Sequence, residues 1–297
     1  MYRHYRTVLI ILLCMNILSC SRSVKLQSTC CQLKYPILFV HGIALPDDMK
    51  LVPYWGSIPD HLRNRGATVF LSNHNAWAEH KVAAQFLKDR VEQIIAQTGA
   101  QKVNIIAHSK GGIESRYMIS RLDMGDKVAS LTTISTPHRG SMVADYLFEK
   151  IDSRQMGGKF IITLASVVGV VMGDSRPDPD SSGRSLTKEY MESFNENVPD
   201  MPQVYYQSYI SLITEEYPSL FWQKLYELHK NLDGPNDGLV SEQSAMWGVY
   251  KGVVKVGEVS QINHGDIVDL YQFSGRRVPD LHLFYVDMVH DLKDMGF

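Results

Sequence analysis

The alternation of apolar and polar positions begins at Tyr35-Pro-Ile-Leu-Phe-Val40, a short apolar run ending in His41-Gly42, which predicts a buried strand entering a tight turn. Similar runs recur at Ala67 to Leu71, Lys102 to Ala107 and Val128 to Ile134. Helix-compatible stretches separate them; from Glu79 to Thr98, the spacing of Val82, Phe86, Val91 and Ile94 or Ile95 predicts an apolar helix face. Strands alternating with helices imply a mostly parallel sheet covered on both faces, the α/β class. After Gly140 the alternation stops. Phe160 to Met172 is almost wholly apolar, and Gly173 to Arg184 is a loop rich in Asp, Pro, Ser and Gly. The apolar segment admits two readings: a buried core helix, or part of an inserted helical lid (about residues 141–200) whose apolar face covers a cleft. Its thirteen residues are too few to cross a bilayer. Strand candidates then follow at Gln203 to Ile210 and Gly252 to Val259, with a closing helix from about Pro279 to Lys293 and no internal repeat.

At 297 residues and 44% hydrophobic, the chain fits one large domain, 35–297, better than two cores. Its net charge is −2 with His neutral, and Arg3 and Arg6 are the charged residues of the first twenty, so nothing suggests a nucleic-acid partner. Those twenty residues read as an export signal, a basic start followed by the apolar run Val8 through Leu18. Its end, Ile17-Leu-Ser-Cys20, resembles a lipobox, which implies lipidation of Cys20 and a cell-surface or outer-membrane lipoprotein; ordinary secretion and an uncleaved anchor are the alternatives. A polar linker, 21–34, follows. Cysteines occur at 14, 20, 30 and 31, so the chain from Gln32 onward folds without an internal disulfide. Cys30 and Cys31 lack the further ligands a metal site needs, and read as part of the tether.

Ala107-His-Ser-Lys-Gly111 follows an apolar strand and precedes the helix-compatible Ile113 to Leu122, the strand, sharp turn, helix setting of a nucleophile elbow with Ser109 as nucleophile. A serine hydroxyl needs a base, and the base an acceptor that fixes its tautomer. Of His138, His229, His264, His282 and His290, only His264 lies in a polar turn, Asn263-His-Gly-Asp266, after a strand. His282 and His290 belong to the closing helix, His229 to a polar helical stretch, and His138 to the turn Thr136-Pro-His-Arg-Gly140. The order Ser, acid, His leaves Asp237, in Asn236-Asp-Gly-Leu-Val240, and Asp233 as candidate acids. One oxyanion donor comes from the backbone N–H after the nucleophile, that of Lys110.

These motifs, with Phe39-Val-His-Gly42, Leu186-Thr and Phe194-Asn-Glu-Asn-Val-Pro199, resemble the secreted bacterial triacylglycerol lipases of the pseudomonad and burkholderia type, within the α/β-hydrolase superfamily. The resemblance runs from about Tyr35 to the end. It implies Asp237 as the acid beside His264, and the N–H of Ile43 as second oxyanion donor. It also implies a structural calcium for which Asp266 matches one ligand, while Glu215 and Glu216 stand where a second aspartate is sought. The chemistry itself requires no cofactor. Gln243 replaces a cysteine that many relatives pair in a disulfide.

The resemblance implies a lipase acting on acylglycerols at a lipid–water interface through an acyl-enzyme. A carboxylesterase or phospholipase would use the same triad, and a catalytically silent binding module is the alternative from another class.

Overall fold

The computed structural model describes residues 29–43, 53–146, 179–270 and 276–297. The export signal, most of the linker and the apolar run Phe160 to Met172 lie outside the described residues, as does the loop that follows up to residue 178.

Six parallel strands form one sheet: β1 (Ile37–Val40), β2 (Val69–Leu71), β3 (Val103–His108), β4 (Val128–Ile134), β5 (Tyr205–Ile210) and β6 (Val249–Val253). Their order is β2-β1-β3-β4-β5-β6. Every residue of β1, β3 and β4 is buried, as near-continuous apolar strands require when both faces are covered. The two-residue period divides β1 between two cores. Ile37 and Phe39 face α1 (Ile58–Arg63) and the closing helix α9 (Leu281–Asp294); Leu38 and Val40 face α2 (His80–Thr98) and α3 (Lys110–Arg121). Between α3 and α9 the chain adds α4 (Met142–Asp145), α5 (Pro179–Arg184), α6 (Lys188–Asn197), α7 (Leu220–Asp233) and α8 (Glu242–Ala245). The order reverses between β1 and β3, so a crevice opens at their carboxyl ends, where open α/β sheets hold ligands.

Four details differ from the sequence reading. On α2, Val82 and Phe86 are about half exposed; the buried face is His80, Ala83, Ala84, Leu87, Val91 and Ile94. Small alanines are buried there because α2 packs directly on α3, as the shared cluster of Ala84, Leu87 and Met118 shows. The last strand is Val249–Val253 rather than Gly252 to Val259, of which Val256 and Val259 make only an isolated bridge. The end of the loose stretch Gly173 to Arg184 is helical, with Arg184 Nε 3.0 Å from Asp180 Oδ1. Finally, residues just before Tyr35 pack on the domain: Cys31 is fully buried in the α1/α9 core, and the Lys34 N–H donates to the Phe297 carbonyl at 2.8 Å.

Candidate active site

Ser109 joins β3 to α3 with φ 54° and ψ −132°, a region that costs a non-glycine residue about 1–3 kcal/mol and clusters at functional sites. The turn is pinned from behind: the Ser109 N–H donates to the Ile134 carbonyl at 3.0 Å, and Thr136 Oγ1 donates to the Ser109 carbonyl at 2.9 Å. Its surroundings exclude side chains. A Cβ on Gly111 would lie 2.4 Å from the His41 carbonyl oxygen, and one on Gly42 would lie 2.7 Å from Ser109 Cβ. The His41-Gly42-Ile43 loop after β1 is thus pressed directly against the elbow. Tyr54 links the two, accepting from the Gly42 N–H at 2.9 Å and donating to His108 Nδ1 at 2.6 Å.

His264 and Asp237 come together from separate turns. His264 Nδ1 donates to Asp237 Oδ2 at 2.8 Å, and the His264 N–H donates to the Asp237 carbonyl at 3.1 Å. The other carboxylate oxygen, Oδ1, accepts from the N–H groups of Leu239 at 3.0 Å and Val240 at 2.8 Å. Asparagines precede both residues and shape both turns. Asn236 Oδ1 accepts from the Gly238 N–H at 2.9 Å, and Asn263 Oδ1 accepts from the N–H groups of Gly265 and Asp266 at 2.8 and 2.7 Å. The His264 ring lies 4.5 Å from that of His108, the residue before Ser109, which brings His264 to the Ser109 turn.

The competing residues are occupied elsewhere. Asp233 is 2.5 Å from Lys188 Nζ, and the neighbouring His229 is buried, not solvated. His138 is buried, with Thr133 Oγ1 3.0 Å from its Nε2, and its carbonyl accepts from Asn195 Nδ2 at 2.8 Å; Asn195 Oδ1 in turn accepts from Arg116 at 2.9 Å. These bonds give the Phe194 to Pro199 stretch a structural role. His282 stacks on His61 at 3.8 Å, and His290 is an exposed neighbour of Asp294.

Asp266 is buried beneath the His264 turn, where its Oδ2 accepts from the Tyr217 hydroxyl at 2.6 Å. Tyr217 also accepts from Asn263 Nδ2 at 2.9 Å, tying the turn to the loop before α7. Calcium takes six to eight oxygens, and the Asp266 oxygen Oδ2 is engaged here by the Tyr217 hydroxyl. Among the described residues no group of three or more His, Cys, Asp or Glu side chains converges on one point. Neither Tyr54 nor Tyr217 was identifiable from sequence, since each acts across a distance set only by folding.

Burial disfavours the protonated form of His108, His138 and His80. It pushes His108 well below 6.5, with His264 adding to the effect, and His138 likewise, with Arg116 and Arg139 adding to it. Burial, reinforced by the Lys110 ammonium, lowers His80 to about 4. Below pH 6.5 the unfolded chain binds protons that these folded positions refuse, so stability falls as pH falls from 6.5 toward 4. Each group contributes up to about 1.4 kcal/mol per pH unit. The urea midpoint is therefore expected to drop between pH 7 and 5, with His138→Gln flattening the slope; a midpoint constant over that range would contradict the assignment.

The α/β-hydrolase fold family matches residues 35–264. Triacylglycerol lipase 2 of Saccharomyces cerevisiae is 30% identical over 270 residues, 83% of this chain and 75% of the yeast protein. A triacylglycerol lipase of Burkholderia plantarii is 35% identical over 175 residues, 56% of this chain and 48% of that protein. Thus the chain spans three quarters of one relative and about half of the other. Among solved structures, a metagenomic carboxyl esterase superposes with a TM-score of 0.69 at 16% identity, covering 93% of this chain and 80% of its own. A Bacillus licheniformis lipase superposes with a TM-score of 0.58 at 22% identity, covering 79% and 86%; both likenesses concern the fold. With the Ser109 turn at the end of β3, the Asp237 and His264 turns beyond β5 and β6, and the family match over residues 35–264, the chain belongs to the α/β-hydrolase fold family.

Proposed function

We propose that this protein is a serine ester hydrolase, a lipase that cleaves the carboxylic esters of acylglycerols, with Ser109 as nucleophile, His264 as base and Asp237 orienting the base. The observation that carries this reading is the strained Ser109 turn beside a His264–Asp237 pair bonded at 2.8 Å. His264 Nε2 takes the proton from Ser109 Oγ as Oγ bonds to the ester carbon. The tetrahedral oxyanion is met by the N–H groups of Ile43 and Lys110. His264 then gives its proton to the departing alcohol, leaving an acyl-serine. Water repeats the sequence and releases the fatty acid. Burial keeps His108 neutral beside the base, so no fixed cation opposes the imidazolium that forms on His264.

The chemistry requires no metal; in this reading the Tyr217–Asp266 bond holds the His264 turn where a bound calcium would otherwise do so. Full activity after EDTA treatment is expected, and a loss restored by calcium would refute that role. The relatives named triacylglycerol lipase support an ester-lipid substrate. The lipobox-like end of the export signal supports attachment to a membrane surface through Cys20, tested by incorporation of labelled fatty acid that Cys20→Ser abolishes. The secreted pseudomonad and burkholderia type, and a lid over the cleft, belong to the same reading.

Two measurements test the function. A serine-directed fluorophosphonate should label Ser109, and rates on esters of increasing acyl length should rise into the long-chain range. Labelling without a long-chain preference would make the protein a carboxylesterase. Absence of labelling would make it a silent binding module.

A further inference from the structure

Behind the elbow lies a buried polar chain that the acyl-transfer steps do not use. Lys110, whose N–H is one oxyanion donor, sends its side chain inward, where Nζ pairs with Glu114 Oε1 and donates to the Ala78 carbonyl at 2.7 Å. Glu114 Oε2 accepts from His74 Nε2 at 2.8 Å, and Ser72 Oγ donates to His74 Nδ1 at 2.9 Å. The His74 ring stacks on that of His41 at 3.9 Å and 16°, and the His74 carbonyl accepts from His41 Nε2 at 3.1 Å. His41 lies two residues before Ile43, the other donor. All four linking side chains, of His41, His74, Lys110 and Glu114, are buried.

We infer that Glu114 is a positioning residue whose carboxylate fastens both halves of the oxyanion hole, Lys110 directly and the His41-Gly42-Ile43 loop through His74. The inference rests on the ester-hydrolase reading of Ser109. A carboxylate taken out of water is strongly unfavourable unless its partners are well placed, and here each oxygen has a different one. Burial pushes the Glu114 carboxyl up, but the Lys110 ammonium and His74 outweigh it and hold it at about 2, so it is charged at any working pH. Apolar packing would fill the same space while allowing small slips, whereas hydrogen bonds fix direction, and oxyanion donors must sit about 2.7–3.1 Å from the developing charge. The close approach of Gly111 to the His41 carbonyl leaves the loop no slack on its other side.

The test compares Glu114→Gln with the charge-neutral double variant Lys110→Met/Glu114→Gln. The latter retains the Lys110 backbone N–H and removes the buried ion pair as a unit, a change that is often nearly neutral for stability. Both are measured on a soluble short-chain nitrophenyl ester and with a boronic acid that forms a tetrahedral adduct on Ser109. In both variants kcat should fall roughly 10- to 100-fold, less than the 10²–10³ for losing a donor outright. Boronate affinity should fall by a similar factor while KM stays within about twofold, a split that general loosening would not give. Native kcat in either folded variant, an equal rise in KM, or failure of both variants to fold would overturn the inference. Fluorophosphonate labelling of wild-type Ser109 separates the two levels: without it the ester-hydrolase reading fails as well, and with it a negative result removes only the role of Glu114.

Discussion

Ser109→Ala and His264→Ala should each lower ester hydrolysis by roughly 10⁴-fold or more, because nucleophile and base act as a unit. The alanine at 109 keeps the Cβ that Gly42 packs against, and the hydrogen bonds that pin the turn come from the backbone and from Thr136, not from the lost hydroxyl. The unusual φ of 54° is as demanding for alanine as for serine, so the strain neither grows nor is relieved. The melting temperature should therefore stay within a few degrees of wild type, and rate loss can be read as lost chemistry. A trace of catalysis should persist, since the oxyanion donors still favour attack by water. Purified Ser109→Ala that retained a tenth of wild-type activity would exclude Ser109 as the nucleophile.

The three candidate turns were legible in the sequence because each is local. A strand, a turn of small residues and a helix sit side by side in Val103 to Arg121, and the Asn-Asp-Gly and Asn-His-Gly turns carry in their asparagines the groups that shape them. The central strands were legible for a related reason: full burial leaves an unbroken apolar run. What escaped the sequence is set by packing. The buried face of α2 was misplaced because close helix contact favours Ala83 and Ala84 over Val82 and Phe86, reversing the rule that larger apolar side chains mark the core. At the sheet edge, β6 carries Lys251 and half-exposed neighbours, so the valines 253, 254 and 256 drew the reading past its true end. Tyr54, His74 and Tyr217 act on residues far along the chain. Glu114 was within reach, four residues after Lys110 on a helix, but that spacing ordinarily marks a solvated surface pair, and only the fold shows both side chains buried.

Asp237→Asn should lower kcat by roughly 10⁴-fold without altering the fold, and its reason lies in the bonds of the second carboxylate oxygen. Oδ1 of Asp237 accepts from two backbone N–H groups, of Leu239 and Val240, at 3.0 and 2.8 Å. An asparagine must keep its carbonyl oxygen at that place, since its NH₂ there would face two donors. The NH₂ is then forced toward His264 Nδ1, in the position from which Oδ2 now accepts at 2.8 Å. Nδ1 must become an acceptor, the ring proton moves to Nε2, and the nitrogen proposed to accept the Ser109 proton can no longer take it. The geometry survives while the tautomer is wrong, so substrate binding and melting temperature should change little. Asp233→Asn is the matching control: that carboxylate is held by Lys188 at 2.5 Å, so its loss should leave kcat within about twofold. If the Asp237 variant kept kcat within tenfold of wild type, or if Asp233→Asn proved the more damaging change, Asp237 would not be the residue that orients the base.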